Sequence, residues 1–158
     1  MADLTVEITT SRAISAQLLR HKSFSFQEFS QRYSAVLPSF EVVGARSQDL
    51  TNRQSSHDDL DKYTKDWFTA VQEDLFQHSF SLYEEALRKG IAKECARNLL
   101  PMASPTRLYM KGNIRSWMTY LNTRLDKSTQ LEHRKVAESI HKIMANYYPI
   151  CASLINKE

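Results

Sequence analysis

The sequence predicts an α+β fold, a central antiparallel sheet of few strands carrying one long helix and a set of C-terminal helices, and three observations predict it. Residues 3–9, "DLTVEIT", alternate Leu4, Val6 and Ile8 against Thr5, Glu7 and Thr9, the period of a half-buried strand. From His57 to Lys89 there is no glycine or proline, and apolar residues recur at spacings of three, four and seven. After one further strand-like stretch, "PTRLYMK", the chain keeps helical spacing almost to its end.

The elements follow in order. Ser11 is a suitable N-cap for a helix through "TSRAISAQLLRHK", whose apolar face is Ala13, Ile14, Leu18 and Leu19. Gln17, Arg20 and His21 stand at i, i+3 and i+4, so a helix running that far places them together at its C-terminal end. "RHKSFSFQEFSQRYS", residues 20–34, and "FEVVGARSQDLTNRQSSHDD" read as polar connections. The stretch from His57 to Lys89 reads as one long helix, or two nearly collinear ones, with Leu60, Tyr63, Trp67, Val71, Leu75, Leu82 and Ala86 on the main stripe, and it ends at Gly90. Phe68, Phe76 and Phe80 lie off that stripe, and apolar surface on two faces predicts a role in assembly as well as in the core. "AKECARNLL" is a short helix ending before Pro101, and "PTRLYMK" is placed to return and pair with the first strand. "NIRSWMTYLNTRL" and "QLEHRKVAESIHKIMANYYPICASLI" complete the helical set, broken before Pro149.

Composition narrows the class. The 158 residues are expected to form a single domain, 1–158, and the net charge of +3 lacks the basic excess of a domain that lives on nucleic acid. Cys95 and Cys151 are far apart, with no CxxC or zinc-type spacing. They suit a reduced compartment, and no metal is expected. No apolar run approaches the ~18 residues of a membrane span, and "MADLTVEITT" lacks the layout of a secretory signal. A cytoplasmic protein, or one in a host's cytoplasm if viral, is the expectation, with no membrane or nucleic-acid partner.

Residues 20–34 are dense in groups that bind phosphate or a base edge: Arg20, His21, Lys22, Glu28, Ser30 and Arg32. The plainer reading is that the cations neutralise a helix C-terminus and the hydroxyls satisfy turns. Further on, Asn113, Ser116, Tyr120 and Arg124 at i, i+3, i+7 and i+11 give one helix a polar face, which is costly unless it meets a polar ligand or water. Arg97, among Ala96, Leu99 and Leu100, needs an anionic partner, either a ligand or a structural glutamate. A small nucleic-acid module would need its aromatics arranged as a stacking platform, and they are not.

"RHKSFSFQEFSQRYS" resembles the signature of the flavin-dependent thymidylate synthases, Arg-His-Arg followed by seven residues and a serine, with Lys22 in place of the third basic residue. The likeness continues in the family's order through "TSRAISAQLLRH", "RSQDLTNRQSS", "ECARNLLP" and "GNIRSWMTYLNTRLDKSTQLEHRKVA", so it covers nearly the whole chain. It implies that family's fold and its reaction: methylation of deoxyuridine monophosphate (dUMP) to dTMP, with methylenetetrahydrofolate giving the one-carbon unit and FAD reduced by NADPH giving the hydride. It implies a homotetramer with active sites shared between subunits. Carried over residue by residue, Gln17, Arg20, Glu28, Ser30, Gln31, Arg32, Arg97 and Arg124 resemble the dUMP-binding set, and Arg20, His21, Lys22, Asn113 and Arg115 the FAD-binding set. Arg124 and Ser30 resemble the residues closest to the chemistry.

Arg124 would polarise the uracil edge as C5 becomes nucleophilic. Nothing near Ser30 in sequence supplies a base, so positioning is its more economical role. Neither cysteine has the electropositive setting of an activated thiolate, and hydride delivery from flavin avoids that need.

The chain departs from the family pattern in three places. Lys22 keeps the charge and loses the planar fork, Thr119 stands where an asparagine is usual, and the usual N-terminal helical segment ending in a histidine is not present before "ADLTVEI". The expectation is firmer binding of dUMP than of flavin. A pyrimidine nucleotide hydroxymethylase, and a truncated non-catalytic member that binds dUMP and oligomerises, are the alternatives.

Overall fold

The computed structural model describes residues 2–33 and 40–155; Met1 and Ser34, which the motif stretches above include, lie outside them. Strand β1 (Asp3–Ser11) pairs antiparallel along its whole length with β5 (Pro105–Asn113), in a register that sets Leu4 opposite Gly112, Val6 opposite Met110 and Ile8 opposite Leu108. Strand β2 (Ser25–Glu28) pairs antiparallel with the other edge of β5, so the sheet order is β1-β5-β2. The fold is α+β, with the pairing of first and returning strands that the sequence predicts.

Alternation assigns the two faces of the sheet. Val6, Ile8, Leu108 and Met110 point inward and are buried, while Thr5, Glu7, Thr9, Arg107 and Lys111 face out. Over the inner face lie α1 (Arg12–Leu18), α4 (Ile114–Arg124) and α5 (Leu131–Tyr147), giving a core of Ile14, Leu18, Trp117, Leu121, Ala137, Ile140 and Met144. Trp117 is fully buried, and its indole Nε1–H donates to the Leu4 carbonyl at 3.1 Å, tying α4 to β1. The chain breaks at Tyr148 and restarts as α6 (Pro149–Ser153), with proline at the first helical position.

Two local expectations are corrected. Ser11 does cap α1, accepting from the Ile14 N–H, but the helix ends at Leu18 with Leu19 as C-cap. Arg20 and His21 therefore lie in the turn to β2 and share no helical face with Gln17. Within the stretch that reads as a polar connection, Ser25–Glu28 is a strand. It has one apolar residue, Phe26, and owes its conformation to pairing with β5, which no local pattern reports.

The remaining polar connection contains a two-residue hairpin, β3 (Ser47–Gln48) with β4 (Ser56–His57). The long helix α2 runs Lys62–Arg88, capped by Asp61, whose side chain accepts from the Thr64 N–H at 3.0 Å. Its end is fixed by Gly90 at φ +82, a conformation other residues reach only with strain.

The packing of α2 reverses its predicted stripe from Tyr63 to Leu82, while Ala86 is buried as that stripe predicts. Phe76, Phe80, Tyr83 and Ala86 are buried, in a second apolar cluster with Ala96 and Phe40. Tyr63, Trp67, Val71, Leu75 and Leu82 are 40–82% exposed. The described residues supply cover for only one of the two apolar faces, the one that carries Phe76, Phe80 and Tyr83. The short helix α3 (Lys93–Ala96) continues as a 3-10 turn, Arg97–Leu99, and stops before Pro101. Among the described residues no helix is long and apolar enough to cross a membrane.

Candidate active site

The turn between α1 and β2 is built on Phe24. Its ring meets Trp117 edge-on at 4.6 Å and Tyr120 at 5.9 Å, and it lies so close to Gly112 that a Cβ there would sit 2.5 Å from its Cδ1. Glycine at 112 thus lets the turn close over α4. The turn is fastened by the Phe24 N–H donating to the His21 carbonyl at 3.2 Å.

This brings His21 beside α4. Its ring meets Tyr120 edge-on at 4.9 Å, and its Nε2 accepts from Arg124 Nε at 3.2 Å. Burial and then the Arg124 charge hold the His21 pKa below its ordinary value, favouring the neutral ring that can accept. Arg20 and Lys22 are exposed in the same turn, and Arg115 is exposed in the first turn of α4. None of the three has a carboxylate partner among the described residues. Asn113 caps α4, its Oδ1 accepting from the Ser116 N–H at 2.8 Å. The predicted polar face of α4 is therefore largely satisfied by protein: Tyr120, 2% exposed, has its hydroxyl 3.1 Å from Nε2 of the fully buried His133.

His133 opens onto a chain of side chains of which sequence reasoning singled out only Gln17. Its Nδ1 lies 3.1 Å from Gln17 Oε1, Gln17 Nε2 donates to Gln130 Oε1 at 2.7 Å, and Gln130 Nε2 donates to Glu132 Oε2 at 2.9 Å. Glu132 is clamped by Arg46 in a two-point ion pair at 2.9 and 3.0 Å. Burial raises the Glu132 pKa, and the hydrogen bonds from Arg46 and Gln130 outweigh it, so the carboxyl stays below its ordinary value. A signal was available: His133 falls on the buried stripe of α5 that continues through Ala137, Ile140 and Met144, and an imidazole on an apolar face needs partners.

On the other side of α1 lies a cleft of about 400 Å³ lined by Arg12, Ser15, Glu28, Gln31, Arg97 and Met102, among others. Glu28 is held from three directions: Ser15 Oγ donates to Oε1 at 2.5 Å, Thr106 Oγ1 donates to Oε1 at 2.9 Å, and Arg12 pairs with Oε2 at 2.8 Å. Arg12 and Ser15 are further residues that the sequence did not flag. Arg97 donates through Nε to the Glu94 carbonyl and has no carboxylate among the described residues, so the structural glutamate considered for it is not there. The buried Nε2 of Gln31 has no hydrogen-bond partner among the described residues.

The predicted residues thus fall in two places. Glu28, Gln31 and Arg97 converge on the cleft, and Ser30 and Arg32 follow Gln31 in the chain. Ser30 Oγ accepts from the Arg32 N–H at 3.2 Å, and Arg32 makes an exposed 3.5 Å ion pair with Glu94. Gln17, His21 and Arg124 lie together around His133, where the end of α4 meets α5, and neither Gln17 nor Arg124 is in the cleft wall. Among the described residues no cluster of histidine, cysteine and carboxylate groups is able to hold a metal ion.

The class defined by the fold is an α+β protein with a small antiparallel sheet and a long helix, and comparison with known proteins gives the family. Residues 1–150 match the family model described as thymidylate synthase complementing protein. The chain is 54% identical to the flavin-dependent thymidylate synthase of Synechocystis and 45% identical to the probable flavin-dependent thymidylate synthase of Paramecium bursaria Chlorella virus 1. Each match covers 98% of this chain and 72% of the relative. The UMP/dUMP methylase PolB of Streptomyces cacaoi, solved with 5-Br UMP, superposes with a TM-score of 0.86 at 23% identity, covering 96% of this chain and 72% of that one. The chain belongs to the flavin-dependent thymidylate synthase family.

Proposed function

We propose that this chain is a cytoplasmic enzyme that methylates dUMP to dTMP as part of a homotetramer, with Arg97 and the cleft residues Glu28 and Gln31 binding the nucleotide and Arg124 facing its base. The observation that carries this reading is the bond between His21 and Arg124, two family-motif residues 103 positions apart in sequence. Arg20 and Lys22 flank His21 in the turn and Arg115 stands at the other end of α4, three exposed cations without carboxylate partners among the described residues.

A nucleoside monophosphate brings close to two negative charges, which forked guanidinium donors bind well. Among the described residues Arg97 is such a donor with no anionic partner, and Gln31 Nε2, which has no partner there either, is a second group that a ligand can satisfy. Glu28, already holding Arg12, Ser15 and Thr106, keeps the cleft wall in place. Ser30 serves as a positioning group, its hydroxyl already ordering the turn to Arg32. Arg124, fixed in orientation by His21, is able to stabilise charge that develops on the uracil.

The cationic turn suits an anionic cofactor: Arg20, Lys22 and Arg115 fit a diphosphate-bearing flavin, with His21 and Asn113 beside them. When bound, reduced FAD would supply the hydride, regenerated by NADPH, with the one-carbon unit from methylenetetrahydrofolate. Asn113 would reach it through its Nδ2, because its oxygen caps α4.

The separation of Gln17 and Arg124 from the Arg97 cleft supports a site completed by a second subunit. The exposed stripe Tyr63, Trp67, Val71, Leu75 and Leu82 supports the same conclusion, being suited to a subunit interface. The test is calorimetric titration with dUMP together with tritium release from 5-labelled dUMP in the presence of FAD, NADPH and the folate. Arg97→Ala is expected to weaken dUMP binding by about tenfold or more, in keeping with the loss of a charged hydrogen bond. Arg124→Ala is expected to abolish release. Unchanged dUMP binding in both variants would overturn the reading.

A further inference from the structure

The chain of side chains from Tyr120 to Arg46 has only one self-consistent direction, and its carboxylate end fixes it. An ionised carboxylate accepts and never donates. Gln130 must therefore turn its NH2 toward Glu132, which leaves its oxygen for Gln17. Gln17 must in turn present its NH2 to Gln130, leaving its oxygen for His133. His133 must then carry its proton on Nδ1, leaving Nε2 to accept from the Tyr120 hydroxyl. Every amide and tautomer along the path is dictated from the Arg46–Glu132 pair, and the path is buried where it matters: Glu132 is 5% exposed and His133 fully buried.

We propose that Glu132 and His133 are positioning residues that lock the Gln17 amide in one of its two orientations. This rests on the reading of Gln17 as a nucleotide-binding residue. A free glutamine can flip its amide and offer either edge to a ligand. Here one N–H and one lone pair of the half-buried Gln17 are already engaged, so the N–H and the lone pair that remain for a ligand stand in a fixed order. A site that selects among pyrimidine edges gains discrimination from a donor that cannot turn into an acceptor. The same chain seats Tyr120, against whose ring His21 rests.

Glu132→Gln is not the variant to use, because its amide oxygen can take the place of Oε2, which accepts from both Arg46 and Gln130, and leave the order of the chain unchanged. Glu132→Ala removes the acceptor altogether, so Gln130 and Gln17 are no longer held in one orientation and His133 is free to carry its proton on either nitrogen. Side-chain 15N–1H spectra of the full chain read this directly, because the two neutral tautomers have distinct nitrogen shifts. We expect His133 to be the Nδ1–H tautomer at pH 7 in the unaltered protein and a mixture of the two neutral tautomers in Glu132→Ala. The dUMP KM of that variant should rise, by up to about tenfold, the scale of one misplaced hydrogen bond, with kcat changing much less.

An Nε2–H or doubly protonated His133 in the unaltered protein overturns the proposal without any variant, which matters because Glu132→Ala leaves Arg46 without its counter-charge and can fail to fold. A pure Nδ1–H tautomer retained in a folded Glu132→Ala also overturns it. Gln17→Ala separates the two readings. If its dUMP KM rises while that of Glu132→Ala does not, the positioning role is wrong; if it is unchanged, Gln17 is not a nucleotide residue and the functional consequence falls with it.

Discussion

Arg124 Nε donates to His21 Nε2 across 3.2 Å, and that bond exists only while the imidazole keeps a lone pair there. His21 and His133 are both pushed toward the neutral form by burial first and by Arg124 next, His133 to about 4 from an ordinary 6.5.

The expected consequence is acid sensitivity with a defined window. An unfolded chain protonates its histidines near 6.5, whereas the folded chain resists until much lower pH, so the unfolded state binds more protons in between. Stability contributed by neutral His133 is fully present above about pH 6.5 and is lost as pH falls toward 4. At about 1.4 kcal/mol per pKa unit the loss is about 3 kcal/mol. Urea unfolding at several pH values between 7.5 and 4.5 should show this fall; His133→Gln should flatten it, and a parallel fall in that variant would assign the acid sensitivity elsewhere.

At Gly112 the expectation is a steric one. An added methyl meets the Phe24 ring at 2.5 Å, so Gly112→Ala should lower stability by about 1–3 kcal/mol and disturb the His21 turn with it. Gly90→Ala, at φ +82 with nothing within 4 Å, should cost about 1–2 kcal/mol by backbone strain alone. Thermal melts measure both, and only Gly112→Ala should also weaken dUMP binding.

These two glycines show how legible the fold was. Gly90 was readable as a helix stop, because the stop signal is local and the residue follows an unbroken helical run. Gly112 carried no such sign, since its role is set by Phe24, which is adjacent in space and distant in sequence. The same division runs through the site. The alternation of β1 and β5, the Ser11 cap and the break before Pro149 are local patterns and appear where the sequence puts them. Strand β2 and the end of α1 depend on pairing and on turn closure. His21, Arg97 and Arg124 could be singled out by motif, but Arg12, Ser15, Arg46 and Glu132 become visible only when elements far apart in the chain are brought together.

On α2, charge placed on the open stripe should act on assembly and leave the fold intact. Leu75, 54% exposed, contributes little to the core of one chain, so Leu75→Glu is expected to reduce the oligomer measured by light scattering without lowering helicity. Phe76, one position along and 1% exposed, belongs to the other class; Phe76→Ala should cost about 3–5 kcal/mol of stability. Identical oligomer size for Leu75→Glu and the parent protein would count against the stripe as an interface.

Lys22 is a point charge where a fork fits a diphosphate better. Lys22→Arg should tighten FAD binding, read as flavin absorbance retained after gel filtration, while dUMP affinity stays as it was. A change in dUMP affinity alone would move Lys22 to the nucleotide side.

The chain has two tryptophans, and the fold puts them to opposite uses: Trp117 is fully enclosed between sheet and helices, while Trp67 stands 56% open on α2. Intrinsic fluorescence therefore carries two separable signals. Trp117 should emit in the blue until the core opens, with Phe24 and the Tyr120 ring against it, whereas Trp67 should be red-shifted and readily quenched by iodide in a lone chain. Dilution would then shift the second emitter while leaving the first untouched, and denaturant would move the first, so a single optical measurement can tell dissociation from unfolding without adding a label.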